Sequence, residues 1–240
     1  MLAVLYAPGQ RPSLVDVRRA GEASGAFAIS HDPSSENGPP GDAAGWAELL
    51  ITGLTFDIAG LSPGECEAVP PIAHRFGLAR DWQGDALEAV LVRPGAHLAG
   101  AAAMLPVVRA CVALGAALAG RTGAAAVVWM PADSAMAPDY FAATIADWLG
   151  GGAFPALGLT ALVAGASGVT SEGLAFFTGQ EIEVCGSDLA AAGRIAVRMV
   201  HTLVEHGPLA APTRLTGPDG ESLLAEPSGD GSRVRLMFAP

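Results

Sequence analysis

Lysine is absent from this chain. All 13 basic residues are arginines, against 24 acidic residues, and the formal net charge is −11. The absence excludes a lysine Schiff base, a lysine general base and the phosphate-binding lysine of a P-loop. The acidic balance argues against non-specific binding to nucleic acid, because such binding depends on neutralising phosphates. We therefore expect no nucleic-acid partner.

Cysteine and charge are also scarce. The three cysteines, Cys66, Cys111 and Cys185, are far apart and form no CxxC pair, which favours reduced thiols over a disulfide framework or a zinc site. Only 15% of the 240 residues are charged and 51% are hydrophobic, the opposite of a disordered composition. The opening stretch MLAVLYAPGQRPS lacks the basic region of a signal peptide, so we expect a cytoplasmic protein.

One segment approaches the length of a membrane span. Residues 97–120 read HLAGAAAMLPVVRACVALGAALAG. Arg109 lies at the middle of this run, Pro106 lies shortly before Arg109, and half of the apolar residues of the run are alanine, which inserts weakly into membranes. The segment is more typical of a buried helix in a soluble protein, and we expect no membrane association.

In the first half, short apolar runs punctuated by Pro and Gly predict strands at residues 2–7, 26–32 and 86–94. A helix is expected after Pro12-Ser13, and residues 46–61 form one long strand or two, with Gly53 as a bulge. The stretch HDPSSENGPPGDAAG, residues 31–45, is a predicted loop. Residues 62–83 carry no clear pattern.

The second half has a stronger pattern. It predicts a helix over residues 97–119, a buried strand at 124–131, and the helix PDYFAATIADWLG with Ser134 or Asp133 as its cap. Two apolar runs, LGLTALVAG and GLAFFTG, are joined through ASGVTSE and indicate a hairpin. The strand EIEVCG and short strands at the C-terminal end complete the pattern.

The long helix SDLAAAGRIAVRMVHTLVEHG is the clearest single element. Ser187 or Asp188 is expected to cap it, and Gly207-Pro208 to end it. The apolar residues at helical spacing predict a buried stripe of Ala192, Ile195, Ala196, Met199, Val200 and Leu203.

Antiparallel strands mixed with helices predict an α+β fold, with mixed, largely antiparallel sheets and helices packed on one face. Residues 1–85 and 86–240 are the expected halves, although one continuous domain is also compatible with the pattern. Each half can be read as a split βαβ unit, which allows two ferredoxin-like halves.

Two carboxylates two residues apart, Glu181 and Glu183, are the candidate catalytic residues. They lie in the stretch FFTGQEIEVCG, and they share one face of a strand while Ile182 and Val184 share the other. A solvated strand face produces the same alternation. General acid–base chemistry would require burial that separates the pKa values of the two carboxyl groups.

His201 is the third candidate, four residues before Glu205 on the long helix. The string HTLVEH does not have the two histidines four apart that zinc-binding helices require, so no metal site is expected. No GxGxxG sequence leads from a strand into a helix, and we expect no dinucleotide or other cofactor. Trp46 and Trp82 flank loops and would mark a partner surface if they were exposed together.

Several segments together resemble an uncharacterised bacterial family of domain-of-unknown-function proteins. They are VVWMPAD, PDYFAATIADWL, GLAFFTGQEIEV, LVEHGPL and TRLTGPDGE. The resemblance covers roughly residues 87–238 and is centred on the Thr-Gly…Glu-Ile-Glu-Val signature. It implies a bacterial origin but no particular activity, because the family has no established one.

The sequence favours a non-catalytic binding or interaction module with an unknown protein partner or small ligand. The alternative is a small hydrolase or acid–base enzyme using Glu181 and Glu183, with His201 as a further candidate. A self-associating component, such as a homodimer, is also compatible with the sequence.

Overall fold

The computed structural model describes residues 1–33 and 45–238. Most of the loop predicted at residues 31–45 lies outside the described residues. The chain divides into two compact units, Met1–Gly152 and Ala153–Pro240. Each is described by itself.

The first unit is built on one eight-stranded sheet. Its strands are β1 (Leu2–Tyr6), β2 (Ala28–His31), β3 (Trp46–Ile51), β4 (Leu54–Ala59), β5 (His74–Phe76), β6 (Glu88–Pro94), β7 (Ala126–Trp129) and β8 (Ser134–Met136). They follow the order β2-β3-β4-β6-β1-β7-β8-β5. Neighbouring strands are antiparallel except β5 and β8. The stretch 46–61 is thus two strands, which meet at a turn through Thr52 and Gly53.

The helices of this unit are α1 (Leu14–Ser24), α2 (Leu105–Thr122) and α3 (Pro138–Leu149). α2 connects β6 to β7, and β1 lies between those two strands. α2 packs on α1, on α3 and on the central strands. All five residues of β1 are buried, as expected for a strand at the centre of a covered sheet.

In the first unit, α1 and α3 begin where the sequence predicts, and α2 begins later. Ser13 caps α1 in a reciprocal arrangement with Asp16, as the local sequence indicates. α2 begins at Leu105, later than predicted, because Pro106 occupies a first-turn position and a separate 3₁₀ turn, Ala96–Ala101, precedes it. The predicted cap of α3 is wrong, because the residue before the helix is Ala137. Asp133 ends the 3₁₀ turn Met130–Ala132 and Ser134 lies in β8, so neither caps α3.

By length and composition, α2 could cross a membrane. Half of this helix is nevertheless buried inside the first unit. The guanidinium of Arg109 lies 4.7 Å from the centre of the Trp148 ring and donates a 2.8 Å hydrogen bond to the Trp148 carbonyl. These contacts hold Arg109 against α3 within the first unit, and the helix is half-buried there, as predicted.

Residues 62–87, most of which belong to the weakly patterned stretch 62–83, cover part of the other face of the sheet. Small and apolar side chains of that face, including Ala3, Leu5 and Val128, form a buried cluster against which this segment packs Val69, Ile72, Leu78, Trp82 and Leu87. Trp82 is therefore half-buried in the core. Trp46 is also half-buried, edge-on to His31 at 5.6 Å, so the proposed surface of two exposed tryptophans is not formed.

The division between the units lies at Gly152–Ala153, not near residue 85. β6 pairs with β1 and β4, and β7 pairs with the other side of β1. A boundary at 85 would cut through this one sheet. The sequence gives no local sign of the pairing of β1, because both of its partner strands are more than 80 residues away along the chain.

The second unit contains a six-stranded sheet. Its strands are β9 (Ala161–Gly165), β10 (Gly168–Glu172), β11 (Glu181–Cys185), β12 (Thr213–Thr216), β13 (Ser222–Pro227) and β14 (Arg233–Phe238), in the order β12-β13-β14-β11-β10-β9. β11 and β14 are parallel, and the other neighbours are antiparallel. The helices are the one-turn α4 (Ala175–Thr178) and the long α5 (Leu189–His206).

α5 covers one face of this sheet, and its buried residues are the six predicted from periodicity. Asp188 caps the helix, accepting from the backbone N–H groups of Ala190 and Ala191. The sheets of both units are mainly antiparallel, and the predicted α+β class is confirmed.

The predicted hairpin partner of β9 is wrong. β9 turns back through Ala166 and Ser167 into β10, which begins at Gly168, within the stretch expected to be the loop. The next apolar run, GLAFFTG, forms α4 and its glycine cap rather than a strand. A run this short is compatible with a strand or a helix turn, so its pattern alone could not decide.

Candidate functional site

Glu181 and Glu183 lie on β11 and face away from α5. Val184 pairs in register with Leu236 of β14, which lies with Ile195 and Met199 of α5 around one pocket. The buried side chains of β11 therefore face the helix, and Glu181 and Glu183 take the opposite face.

Glu181 is held by two hydrogen bonds within the unit. Its Oε1 accepts from the backbone N–H of Ala175 at 2.9 Å, and its Oε2 accepts from the hydroxyl of Ser171. Ser171 Oγ in turn accepts from the N–H of Ile182 at 2.8 Å. Leu174, the residue before α4, has no side chain that can cap a helix. Glu181, on the strand β11, supplies an acceptor for the first turn of α4 instead.

Gln180, which sequence reasoning passed over, is the most buried polar residue of this segment, at 4% exposure. Its Nε2 donates to the carbonyl oxygens of Leu209 and Gly231, at 2.9 and 3.0 Å. Its Oε1 accepts from the N–H of Leu209 at 2.9 Å. One side chain thus ties the chain after α5 to the turn between β13 and β14.

The two residues before Gln180 shape the end of α4. Gly179 has a φ of +76°, the left-handed conformation that closes a helix, and its N–H donates to Ala175 O. The Thr178 hydroxyl accepts from the N–H of Gln180 at 3.2 Å. The whole TGQEIEV segment therefore fixes a helix end, a strand start and two distant connections.

Glu183 belongs to a row of alternating charges across the sheet. Its Oε2 lies 3.3 Å from Arg235 Nη2 and 3.9 Å from Arg233 Nη1. Glu226 of β13 lies in register beside Arg235. These residues line an open groove of about 330 Å³. Charges of opposite sign on neighbouring strands stabilise the register of a sheet, although each exposed pair contributes little.

His201 is not close to the carboxylates. It lies on α5, on the other side of the sheet, and its Nε2 is 3.0 Å from the carbonyl oxygen of Phe154. The structure therefore does not bring Glu181, Glu183 and His201 together. Among residues 1–33 and 45–238, no group of three His, Cys, Asp or Glu side chains is arranged to hold a metal ion.

A carboxylate pair in the first unit was also not anticipated. Glu48 of β3 and Asp57 of β4 lie directly opposite each other, and Ser30 donates a 2.7 Å hydrogen bond to Glu48. Partial burial raises the pKa of Asp57, and the negative charge of Glu48 raises it further. The alternation in each strand is visible in the sequence, but the register that joins them is not.

The second unit also contains an apolar pocket of about 160 Å³ between α5 and the strands β12, β13 and β14. Its apolar wall is Ile195, Met199, Leu215, Leu223 and Leu236. Its remaining lining residues are Arg198, Thr202, Thr216, Gly217 and Pro218. The α5 stripe predicts that Ile195 and Met199 are buried, but the space left between helix and sheet depends on packing that no local pattern encodes.

Comparisons with protein-family models, with curated proteins and with solved structures found no match to this chain.

Proposed function

We propose that the protein is a non-catalytic binding module and that the pocket of the second unit holds a small, largely apolar ligand. The pocket is the observation that carries this proposal. Its volume of about 160 Å³ is close to that of protein cavities of ~150 Å³ that stay dry and bind benzene. Four of its five apolar residues are almost fully buried, so the wall is held by the core of the unit.

The use of the polar residues in TGQEIEV supports a non-catalytic role for that segment. Gln180 and Glu181 direct their polar atoms at the chain's own backbone and at Ser171. The segment holds the strand β11 that forms the sheet beneath the pocket. Membership of the uncharacterised bacterial family is likewise proposed, and its signature then serves the architecture of this unit.

The pocket is tested by titrating the full chain with benzene and following the methyl signals of Ile195, Met199 and Leu223 by NMR. We expect saturable shifts in the wild type and in Leu224→Phe, because Leu224 neighbours a lining residue on β13 but does not line the pocket. Leu215→Phe should abolish the shifts, because the larger side chain fills the pocket. Shifts that persist in Leu215→Phe, or that are absent from the wild type, would contradict the proposal.

The alternative is an acid–base or hydrolytic enzyme that uses Glu181 and Glu183. Glu183 favours it, since this carboxylate lines an open groove beside two arginines. Turnover of ester, phosphoester or glycoside substrates that is lost in Glu183→Gln and kept in Glu226→Gln would support this alternative. Equal turnover in both variants would exclude a role for Glu183.

We propose that two copies of the chain form a homodimer by pairing their edge strands β9. β9 is the last strand of its sheet, and no charged residue occurs from Ala153 to Ser171. Edge strands of monomers are usually protected by charge, proline or bulges. The opposite edge, β12, has such protection in Pro212 and Arg214.

We also propose that the first unit has a ferredoxin-like core. The four strands β7-β1-β6-β4 lie in that order, and α2 connects β6 to β7 across β1. α1 follows β1 and packs on α2. This is the split βαβ arrangement, extended at both edges. A cytoplasmic location remains part of the proposal and agrees with the three free thiols.

A further inference from the structure

We propose that the ligand of the second unit's pocket is a short-chain carboxylate, with its apolar chain in the pocket and its carboxylate at Arg198. This inference rests on the proposed binding function and adds the chemical class of the ligand. The apolar wall alone does not specify the head group of the ligand. That head group is inferred from the charged residue at the rim of the pocket.

Among the described residues that line the pocket, Arg198 is the one that carries a charge. It lies on α5 between Ile195 and Thr202, and it is exposed, whereas Ile195 and Met199 beside it are 2% and 3% exposed. An arginine in this position can lay its aliphatic part along the wall and keep its guanidinium in water at the rim.

The guanidinium of Arg198 has no ion pair among the described residues. One helical turn earlier, Arg194 is paired with Asp219 at 2.8 Å, and that aspartate follows the lining residue Pro218. Glu221, on the same turn, accepts from the N–H of Asp219 at 2.9 Å. Asp219 is thus paired with Arg194 of α5, and Glu221 accepts a hydrogen bond within the turn. Arg198 is the lining cation that a bound anion would meet.

A carboxylate fits this cation better than an alcohol or an amine does. The planar guanidinium matches the two oxygens of a carboxylate, and charge-assisted hydrogen bonds are the stronger class. Thr216, exposed at the same rim, offers a hydroxyl donor. An amine would be repelled by Arg198, although the protein as a whole has a net charge of −11.

The size of the pocket limits the chain. About six carbons fill a cavity of this volume, since ~150 Å³ accommodates benzene. Hexanoate, hexanol and hexylamine therefore form a matched set of probes, equal in chain length and different only in the head group.

The test is calorimetric titration of the full chain with the three probes at neutral pH. We expect hexanoate to bind roughly tenfold more tightly than hexanol, and hexylamine to bind most weakly. Arg198→Gln should remove this advantage, so that hexanoate and hexanol bind the variant with similar affinity. Arg214→Gln is the matched control, because it removes an exposed arginine of β12 that does not line the pocket, and it should change neither affinity.

Two results would overturn the inference, and they differ in meaning. If hexanoate and hexanol bind equally and Arg198→Gln has no effect, the head-group assignment fails while the apolar binding function stands. If none of the probes binds and benzene also gives no methyl shifts, the pocket is not a binding site and both proposals fail. Circular dichroism of the exposed-arginine variants verifies that each is folded.

Discussion

Gln180 shows how much structure a single buried amide can hold. Its three hydrogen bonds reach backbone groups 29 and 51 residues further along the chain. Burying such a side chain is favourable only because its polar atoms are paired. Glu181, next to it, takes a similar role for α4, so one of the two candidate catalytic carboxylates is engaged by groups of its own unit.

Replacing Gln180 by alanine should destabilise the second unit by about 2–3 kcal/mol. The change removes three hydrogen bonds and leaves Leu209 and Gly231 with backbone groups that must find water. Urea unfolding of the full chain measures the loss. Gln10→Ala is the control, because Gln10 is exposed and should cost less than about 0.5 kcal/mol. Equal costs for the two variants would show that the Gln180 contacts are unimportant.

At the scale of elements, strong helical periodicity was sufficient to predict the buried face of α5. The six buried residues of α5 and the Ser13 cap of α1 follow from local sequence, because an amphipathic stripe and a capping box act within one element. The short apolar run before Gly179 became a helix turn because Glu181 and Gly179 satisfy its two ends. Those partners are close in sequence, but their role depends on the position of β11.

The candidate site shows the same limit. The shared face of Glu181 and Glu183 is a consequence of strand alternation and was predictable. Their partners Ser171, Arg233 and Arg235 come from other strands, so the sequence could not show that these contacts would hold them. The pocket depends on where α5 lies over three strands from the C-terminal part of the chain, which is a property of tertiary packing.

The unprotected edge of β9 leads to a prediction about assembly. We expect the protein to form dimers in sedimentation velocity at tens of micromolar, and Ala164→Lys to shift it to monomer. Position 164 is exposed, so the substituted lysine would place a charge where two β9 strands meet. Thr213→Lys, on the edge strand β12, is the control and should leave the dimer intact. A wild-type monomer at these concentrations would exclude the edge pairing.

At the scale of the whole molecule, the excess of acidic groups does not act uniformly. Hydrogen bonds from Ser13 lower the pKa of Asp16, and Arg11 does the same for Glu88, with a contribution from the Gly9 N–H. Asp57 has the opposite shift, because burial and Glu48 raise its pKa. The first group favours the fold when ionised, and Asp57 favours it when protonated.

Acid should therefore destabilise the protein through a few identifiable carboxylates. Asp230, in the turn between β13 and β14, accepts hydrogen bonds from Ser228 Oγ at 2.6 Å and from Ser232, which lower its pKa to about 2. Its contribution to stability is present above the pKa of the unfolded state, about 4, and is lost as the pH falls towards 2. We expect Asp230→Asn to lower the urea midpoint at pH 7 and to flatten its decline between pH 4 and 2. Asp85→Asn, which removes an exposed charge, should leave the slope unchanged, and parallel curves for all three proteins would refute this origin of acid sensitivity.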